Sequence, residues 1–404
     1  MPVSPAAADT RADPTVLRVL FALSVSHLLN DVLQAVIPAL YPLFKDSYGL
    51  TFSQIGLITF TFQLSGSILQ PIVGNYTDKR PLPYSLAVGM TCTLAGIVLF
   101  SQATRFGTLV LAAGLTGTGS AVFHPEASRL ARLASGGRHG FAQSLFQVGG
   151  NFGTSLGPLL AAWIVVPHGQ GHVLWFSILA IAGILLLARL GAWYRSHLDL
   201  ARKRPGALKP PPPAFPRRTV VLALAVLAVL IFSKYFYLAS LTNYYTFYLI
   251  HRFALSVQEA QYCLFAFLFA VAAGTIIGGP VGDRIGRKYV IWASILGIAP
   301  FTLALPYVGL PATVILSVVI GVVMASAFSA ILVYATELVP GKVGMIAGLF
   351  FGFAFGMAGI ASALLGKLAD HTSIEFVYQV CAYLPLLGIV TVFLPDLRKL
   401  NRGR

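Results

Sequence analysis

Long apolar stretches recur along the whole chain, and each has about the length of a membrane-spanning helix. A helix needs about 20 predominantly apolar residues to cross the hydrocarbon core of a bilayer. The pattern predicts spans at residues 18–44, 53–73, 85–103, 108–128, 141–166, 173–193, 219–249, 258–280, 289–306, 312–339, 344–368 and 374–394. We therefore predict an all-α membrane protein with twelve transmembrane helices.

The longest polar stretch, residues 194–218, separates the sixth span from the seventh. It contains an Arg-Lys-Arg run and four consecutive prolines, a composition typical of a solvated, semi-stiff linker. The chain then divides into a tail at 1–17, a six-helix half at 18–193, the linker at 194–218, a second six-helix half at 219–394 and a tail at 395–404.

The distribution of charge supports this topology. Hydrophobic residues make up 57% of the chain and charged residues 10%, and the formal net charge is +15. The Lys and Arg residues concentrate in alternate connections between spans, which is the positive-inside bias, and this places both termini and the linker in the cytoplasm. A nucleic-acid surface would need a folded basic domain outside the spans, and the pattern leaves no room for one. We expect a lipid bilayer, not a nucleic acid, as the environment.

The second half repeats the first at an offset of 205 residues, which aligns Asp78 with Asp283 and Thr51-x-x-Gln54 with Ser256-x-x-Glu259. The Thr51-x-x-Gln54 and Ser256-x-x-Glu259 patterns are both helix capping boxes. The stretch 279–288, Gly-Pro-Val-Gly-Asp-Arg-Ile-Gly-Arg-Lys, resembles the signature of the major facilitator superfamily, and residues 74–81 carry a degenerate copy. The resemblance implies the major facilitator fold, two pseudo-symmetric six-helix halves with substrate bound between them. The gating residues that we predict in the two copies are Gly74, Asp78, Lys79, Gly279, Asp283, Arg284, Arg287 and Lys288.

The predicted fifth helix carries glycines at every fourth position. Small residues at that spacing let two helices approach closely. In the superfamily, the Gly-x-x-x-Gly-Pro stretch formed by Gly153, Gly157 and Pro158 is associated with antiporters, and we assign these three residues to gating. Close packing alone would also select them.

Polar side chains inside the first and fourth spans are candidates for proton transfer, because burial disfavours the charged form of a carboxylate. His27 and Asp31 lie one turn apart in the first span. We predict Asp31 as the proton carrier with His27 beside it, although a purely structural pair would look the same. Glu126, in the fourth span, is either a second proton site or the partner of Arg129.

Lys234 is a lone cation in the seventh span, and its burial calls for an anionic partner. At the repeat offset it aligns with the polar cluster of the first span, so we expect the two to face each other. The partner of Lys234 is then an anionic substrate or Asp31. The predicted substrate-binding residues are Lys234, Tyr235, Tyr237, Asn30, Gln34, Gln147 and Asn151.

Several further stretches resemble the bacterial fosmidomycin-resistance family of this superfamily. They include residues 26–31 (Ser-His-Leu-Leu-Asn-Asp), 50–56, 123–126 (Phe-His-Pro-Glu), 136–140, 146–153, 232–237 and 265–274. The resemblance implies an inner-membrane protein that exports the phosphonate-hydroxamate antibiotic fosmidomycin by drug/proton antiport. On this interpretation the proton gradient is the driving force, no cofactor or metal is required, and the protein is a monomer.

Two other functions fit parts of the pattern. A proton-coupled transporter or exchanger of a phosphorylated or carboxylated metabolite would use the same fold and site, because direction and substrate are not set by fold. A membrane-embedded enzyme is disfavoured, because the spans contain no metal-ligand set and no nucleophile beside a base.

Overall fold

The structure is a computed structural model that describes residues 15–40, 44, 47–50, 52–203 and 215–396. Within these residues, twelve helical segments are long and apolar enough to cross a membrane. The regular α-helices that form these segments are α1 (Leu17–Ala39), α2 (Phe52–Lys79), α3 (Ser85–Gln102), α4 (Phe106–Leu133), α5 (His139–Leu160), α6 (Ser177–Lys203), α7 (Arg217–Phe253), α8 (Val257–Ile285), α9 (Arg287–Ile295), α10 (Leu310–Leu338), α11 (Val343–His371) and α12 (Ile374–Cys381). The predicted multi-pass, all-helical membrane protein is confirmed.

Three of the helices continue in irregular form. A π-helical turn at Ala161–Val165 extends α5, short helical segments through Tyr307 extend α9, and a 3₁₀ segment at Leu384–Phe393 extends α12. Pro306 and Pro385 open 3₁₀ segments of α9 and α12, where a proline cannot donate the backbone hydrogen bond that a regular α-helix requires.

The helix ends differ in places from the predicted boundaries. Helix α6 continues to Lys203, into the segment predicted as linker. The predicted capping box at the start of α8 is present, since the Ser256 hydroxyl accepts from the Glu259 amide and the Glu259 carboxylate accepts from the Ser256 amide. Its counterpart begins at Thr51, which lies outside the described residues. The two tails and the middle of the linker also lie largely outside them.

The two halves meet along two pseudo-equivalent seams. In one seam α2 packs along α11, and in the other α5 packs along α8. Helix α4 also contacts α11, and α1 packs against α5 within the first half. Large apolar side chains such as Phe21, Val88, Trp163 and Ile276 are exposed on the outside of the bundle, as expected for a surface that faces lipid.

Candidate functional site

Asp31 of α1 lies in a cluster of polar side chains within the first half. One carboxylate oxygen is 3.4 Å from Nε2 of His27, and the other is 4.0 Å from Nε2 of His124 on α4. The amide of Asn30 donates to Asp31 at 2.9 Å. The Asp31 side chain is 17% exposed, while both histidines are almost fully buried. We call His27, Asp31 and His124 the HDH cluster.

The backbone fixes the orientation of both imidazole rings. Nδ1 of His27 lies 2.8 Å from the carbonyl oxygen of Phe146, and Nδ1 of His124 lies 3.0 Å from that of Ser120. A carbonyl oxygen only accepts hydrogen bonds, so each Nδ1 carries the hydrogen and donates it. In the neutral rings, both Nε2 atoms therefore present lone pairs to a carboxylate that also only accepts. A proton between Asp31 and either histidine relieves this repulsion, so the HDH cluster is suited to hold a proton.

Gly150 of α5 closes one side of the HDH cluster. A Cβ atom at this position would overlap the imidazole of His27 and lie 2.8 Å from Oδ2 of Asp31. The neighbouring glycines Gly153 and Gly157 pack against α1 in the same way, with Leu28 and Ala35 as their closest neighbours. The glycine stripe thus lies at the α1–α5 contact inside one half, where it holds α5 against the cluster. The gating role predicted for Gly153, Gly157 and Pro158 stays a prediction.

Phenylalanines from α11 cover His124 on the side of the second half. The ring centroids of Phe351 and Phe355 lie 4.9 and 5.0 Å from that of His124. Since α11 belongs to the opposite half, the burial of His124 depends on how the two halves meet. Sequence reasoning missed His124. From the sequence we predict Glu126, two residues further along α4, as the candidate proton site of this helix. Only the packing of α4 against α1 shows that His124, and not Glu126, reaches Asp31.

Glu126 forms a separate ion pair. Arg129 donates to its carboxylate at 2.6 Å, and the Ser85 hydroxyl donates to the same oxygen at 3.1 Å. Arg129 also donates to the carbonyl oxygen of Thr77, so the pair connects α2, α3 and α4. Of the two alternatives left open by the sequence, this geometry fits the structural ion pair.

Lys234 of α7 is 6% exposed and lines a narrow pocket within the second half. Its ammonium lies 5.6 Å from the ring centroid of Tyr235 and 5.7 Å from that of Phe328. In the part of the chain that the structure describes, no carboxylate forms an ion pair with Lys234, so the expected pairing with Asp31 is not present in this conformation. Tyr235 is close enough to Asp31 to interact with it electrostatically.

The other predicted substrate residues fall into three groups. Asn151 donates to Thr275 of α8 at 2.8 Å and so bridges the two halves. Tyr237 packs in the apolar core of the second half. Asn30, Gln34 and Gln147 make up the third group, since each has one buried polar atom without a hydrogen-bond partner among the described residues, namely Asn30 Oδ1, Gln34 Nε2 and Gln147 Oε1. Buried polar atoms normally find partners, so these three atoms are available to water or a bound ligand.

The two copies of the signature make equivalent contacts across the seams. Asp78 accepts from the backbone amides of Gly344 and Met345 at 3.0 and 2.8 Å, at the start of α11. Asp283 accepts from those of Gly140 and Phe141 at 3.1 and 3.0 Å, at the start of α5. In each case a carboxylate caps the positive end of a helix from the other half. These contacts hold the two halves together at this end of the bundle.

The remaining signature residues surround these caps. Arg287 pairs with Asp283 at 3.1 Å and with Glu337 of α10 at 3.0 Å. Lys288 donates to the carbonyl oxygens of Val392 and Leu394, at the end of the 3₁₀ segment that extends α12. Gly74 lies in contact with the backbone at Gly344, and Lys79 and Arg284 are exposed. The surroundings of Gly279 lie outside the described side chains.

Comparison with known proteins places this architecture in a family. The family model described as "Major Facilitator Superfamily" matches residues 23–256 and 227–403. The chain is 61% identical over 397 residues to the fosmidomycin resistance protein of Escherichia coli strain K12, an alignment that covers 98% of this chain and 97% of that protein. It is 43% identical to the uncharacterized MFS-type transporter YfnC of Bacillus subtilis strain 168, with 96% and 95% of the two chains covered.

Solved structures agree in fold. The E. coli fucose:proton symporter superposes with a TM-score of 0.71 and the human organic anion transporter MFSD10 with 0.75, each at 16% identity over 95% of this chain and 100% of that chain. The proteins of this superfamily are transporters and not enzymes. The chain therefore belongs to the major facilitator superfamily of membrane transporters, and within it to the family of the E. coli fosmidomycin resistance protein.

Proposed function

We propose that this protein exports fosmidomycin, or a closely related small anion, across the bacterial inner membrane in exchange for protons, by alternating access. The observation that carries the proposal is the HDH cluster, an intramembrane set of side chains suited to hold a proton. The choice of substrate rests on the relative named as a fosmidomycin resistance protein, to which the chain is 61% identical.

The proton affinity of the HDH cluster should depend on the conformation. Here Phe351 and Phe355 cover His124. If the halves separate at the end held by Asp78 and Asp283, α4 loses contact with α11 and His124 meets water. Contact with water lowers the free energy of the charged forms of these side chains, so the HDH cluster binds a proton with different affinity in the two conformations. A ligand that binds two states unequally shifts the equilibrium between them, which is the requirement for coupling.

Lys234 is the residue that we assign to the anionic end of the drug. It is buried beside a crevice of the second half that is too tight for a ligand in this conformation, and no carboxylate of the described residues pairs with it. An ammonium in a membrane span is costly without an anionic partner, and a phosphonate would provide one. The unpartnered polar atoms of Asn30, Gln34 and Gln147 are the further candidates for contacts with the drug.

Transport by purified protein in proteoliposomes tests the proposal. We expect an imposed pH gradient to drive uphill movement of fosmidomycin in the wild type. Asp31→Asn should abolish the response to the gradient while downhill exchange persists, and Lys234→Ala should abolish drug binding. Asp370→Asn makes the same chemical change at an exposed residue at the end of α11 and should behave as wild type.

The outcomes separate the alternatives. If the wild type moves no fosmidomycin but moves a phosphorylated or carboxylated metabolite under the same gradient, the antibiotic is wrong as substrate and the proton coupling stands. If fosmidomycin moves uphill equally well in Asp31→Asn, the role of the HDH cluster in coupling is wrong.

A further inference from the structure

The expectation that the spans contain no metal-ligand set was wrong, because the HDH cluster brings three possible ligand atoms together from two spans that are far apart in sequence. Nε2 of His27, Nε2 of His124 and a carboxylate oxygen of Asp31 all lie within 4.8 Å of one another. Two imidazoles and one carboxylate form the donor set of many sites for Zn²⁺ and related ions. The three side chains come from two different helices, α1 and α4, so they enclose a point between the helices.

The hydrogen bonds around the two histidines are those of metal-ligating imidazoles. A metal-bound histidine usually donates its other ring N–H to a backbone carbonyl or a carboxylate, which fixes the tautomer that can bind the ion. Both histidines meet this condition, since Nδ1 of His27 donates to Phe146 and Nδ1 of His124 donates to Ser120. The two Nε2 lone pairs are thus directed into the cluster without any rearrangement of the backbone.

Space and access at the HDH cluster also fit an ion. Bonds of about 2.0–2.2 Å to a tetrahedral ion would place the ligand atoms about 3.3–3.6 Å apart. The three ligand atoms lie within 4.8 Å of one another, so the widest of their separations would contract by up to about 1.2–1.5 Å around a bound ion. Because Gly150 has no side chain, no methyl group occupies the space beside His27 and Asp31. The partial exposure of Asp31 provides a route of entry.

We propose that the HDH cluster is a binding site for one divalent transition-metal ion, with Zn²⁺ as its best-fitting occupant. The ion uses the same lone pairs as the proton, so the two compete and the metal-bound transporter cannot complete the proton half of its cycle. The binding claim goes beyond the proposed transport activity and does not depend on the identity of the drug.

Direct metal binding tests the proposal on the full chain, purified without a polyhistidine tag. Zn²⁺ is titrated by calorimetry, and Co²⁺ serves as a spectroscopic probe, because its visible absorption reports coordination by imidazole in a low-symmetry site. We expect one ion per chain, with the affinity weakened by at least one to two orders of magnitude in His27→Gln, Asp31→Asn and His124→Gln. The Co²⁺ absorption should disappear in the same variants.

A matched control is available elsewhere in the chain. His168 and His172 form a second pair of histidines, four residues apart on either side of the non-helical Gly169, with ring centroids 5.1 Å apart and outside the HDH cluster. The double variant His168→Gln/His172→Gln should keep both the stoichiometry and the Co²⁺ spectrum. Loss of binding in that variant, or absence of Zn²⁺ binding in the folded wild type, would overturn the proposal.

Gly150→Ala provides a test that removes no ligand. The added methyl group would occupy space beside His27 and Asp31, so Zn²⁺ binding should weaken while all three ligands remain. Thermal unfolding of each variant shows whether it is folded before titration. A folded Gly150→Ala protein with wild-type Zn²⁺ affinity would contradict the placement of the ion in this cluster.

Discussion

At Gly150, α5 packs directly against the His27–Asp31 pair, and a methyl group added there perturbs the pair without removing either side chain. In Gly150→Ala, the new Cβ would overlap His27 and lie 2.8 Å from Oδ2 of Asp31. The carboxylate would need to move by about 0.7–1.2 Å to reach an ordinary contact distance, and the imidazole by more. The hydrogen bond from His27 to Phe146 holds the ring in place and opposes that movement.

The size of the effect follows from this crowding. Overpacking of a well-packed interior costs about 1–3 kcal/mol, which corresponds to about one to two orders of magnitude in an equilibrium or rate constant. We expect gradient-driven fosmidomycin accumulation in proteoliposomes to fall by that factor, while drug binding in detergent, which rests on Lys234, stays within about twofold of wild type.

The matched control for this prediction is Gly114→Ala in α4. A Cβ at Gly114 would meet only Thr61, at an ordinary 3.6 Å, so the variant should transport as wild type. Wild-type accumulation by Gly150→Ala would refute the argument that the spacing of the HDH cluster determines coupling. Equal losses in both variants would show that the assay responds to any added methyl group and not to the cluster.

Three further predictions concern the ion pair, the lone lysine and the seams. Glu126→Ala leaves the guanidinium of Arg129 without its carboxylate partner, so we expect the folded protein to be destabilised by about 3–5 kcal/mol. The melting temperature in detergent should fall, and an unchanged melting temperature would contradict a structural role. Lys234→Met should abolish fosmidomycin binding by calorimetry while Zn²⁺ binding to the HDH cluster is kept, and retained drug binding would remove Lys234 from the site. Asp78→Ala removes the cap on α11, at a cost of about 0.5–2 kcal/mol. In an Ala347→Cys background, in which position 347 is buried, the thiol should then react with a water-soluble maleimide about 2- to 30-fold faster. An unchanged rate would show that the cap does not hold the seam.

The architecture could be predicted from the sequence because the thickness of the bilayer sets the length of each apolar span, and the excess of Lys and Arg in alternate loops indicates the topology. The repeat offset of 205 residues even pointed to equivalent roles for Asp78 and Asp283, and both carboxylates cap helices of the opposite half. Irregular segments were not predictable to the same degree. The breaks in α9 and α12 follow from prolines whose effect on a helix depends on how neighbouring helices pack.

The candidate site was only partly predictable. His27 and Asp31 are one turn apart on one helix, so local spacing was enough to bring them together. The contribution of His124 depends on the rotation of α4 about its own axis, which the sequence does not specify. Alignment of the repeats placed Lys234 opposite the first span, but pseudo-symmetry relates backbones and not side-chain directions. In the structure, the Lys234 ammonium lies beside the rings of Tyr235 and Phe328 in its own half.

The central claim is that drug binding and protonation of the HDH cluster are coupled, and proton release on drug binding tests it most directly. Fosmidomycin is added to purified protein in weakly buffered detergent solution, and a pH indicator reports protons released across a series of starting pH values. The account predicts release from the wild type at pH values where the HDH cluster is protonated, and drug binding without release from Asp31→Asn. Binding of fosmidomycin to the wild type with no proton release at any pH would contradict it.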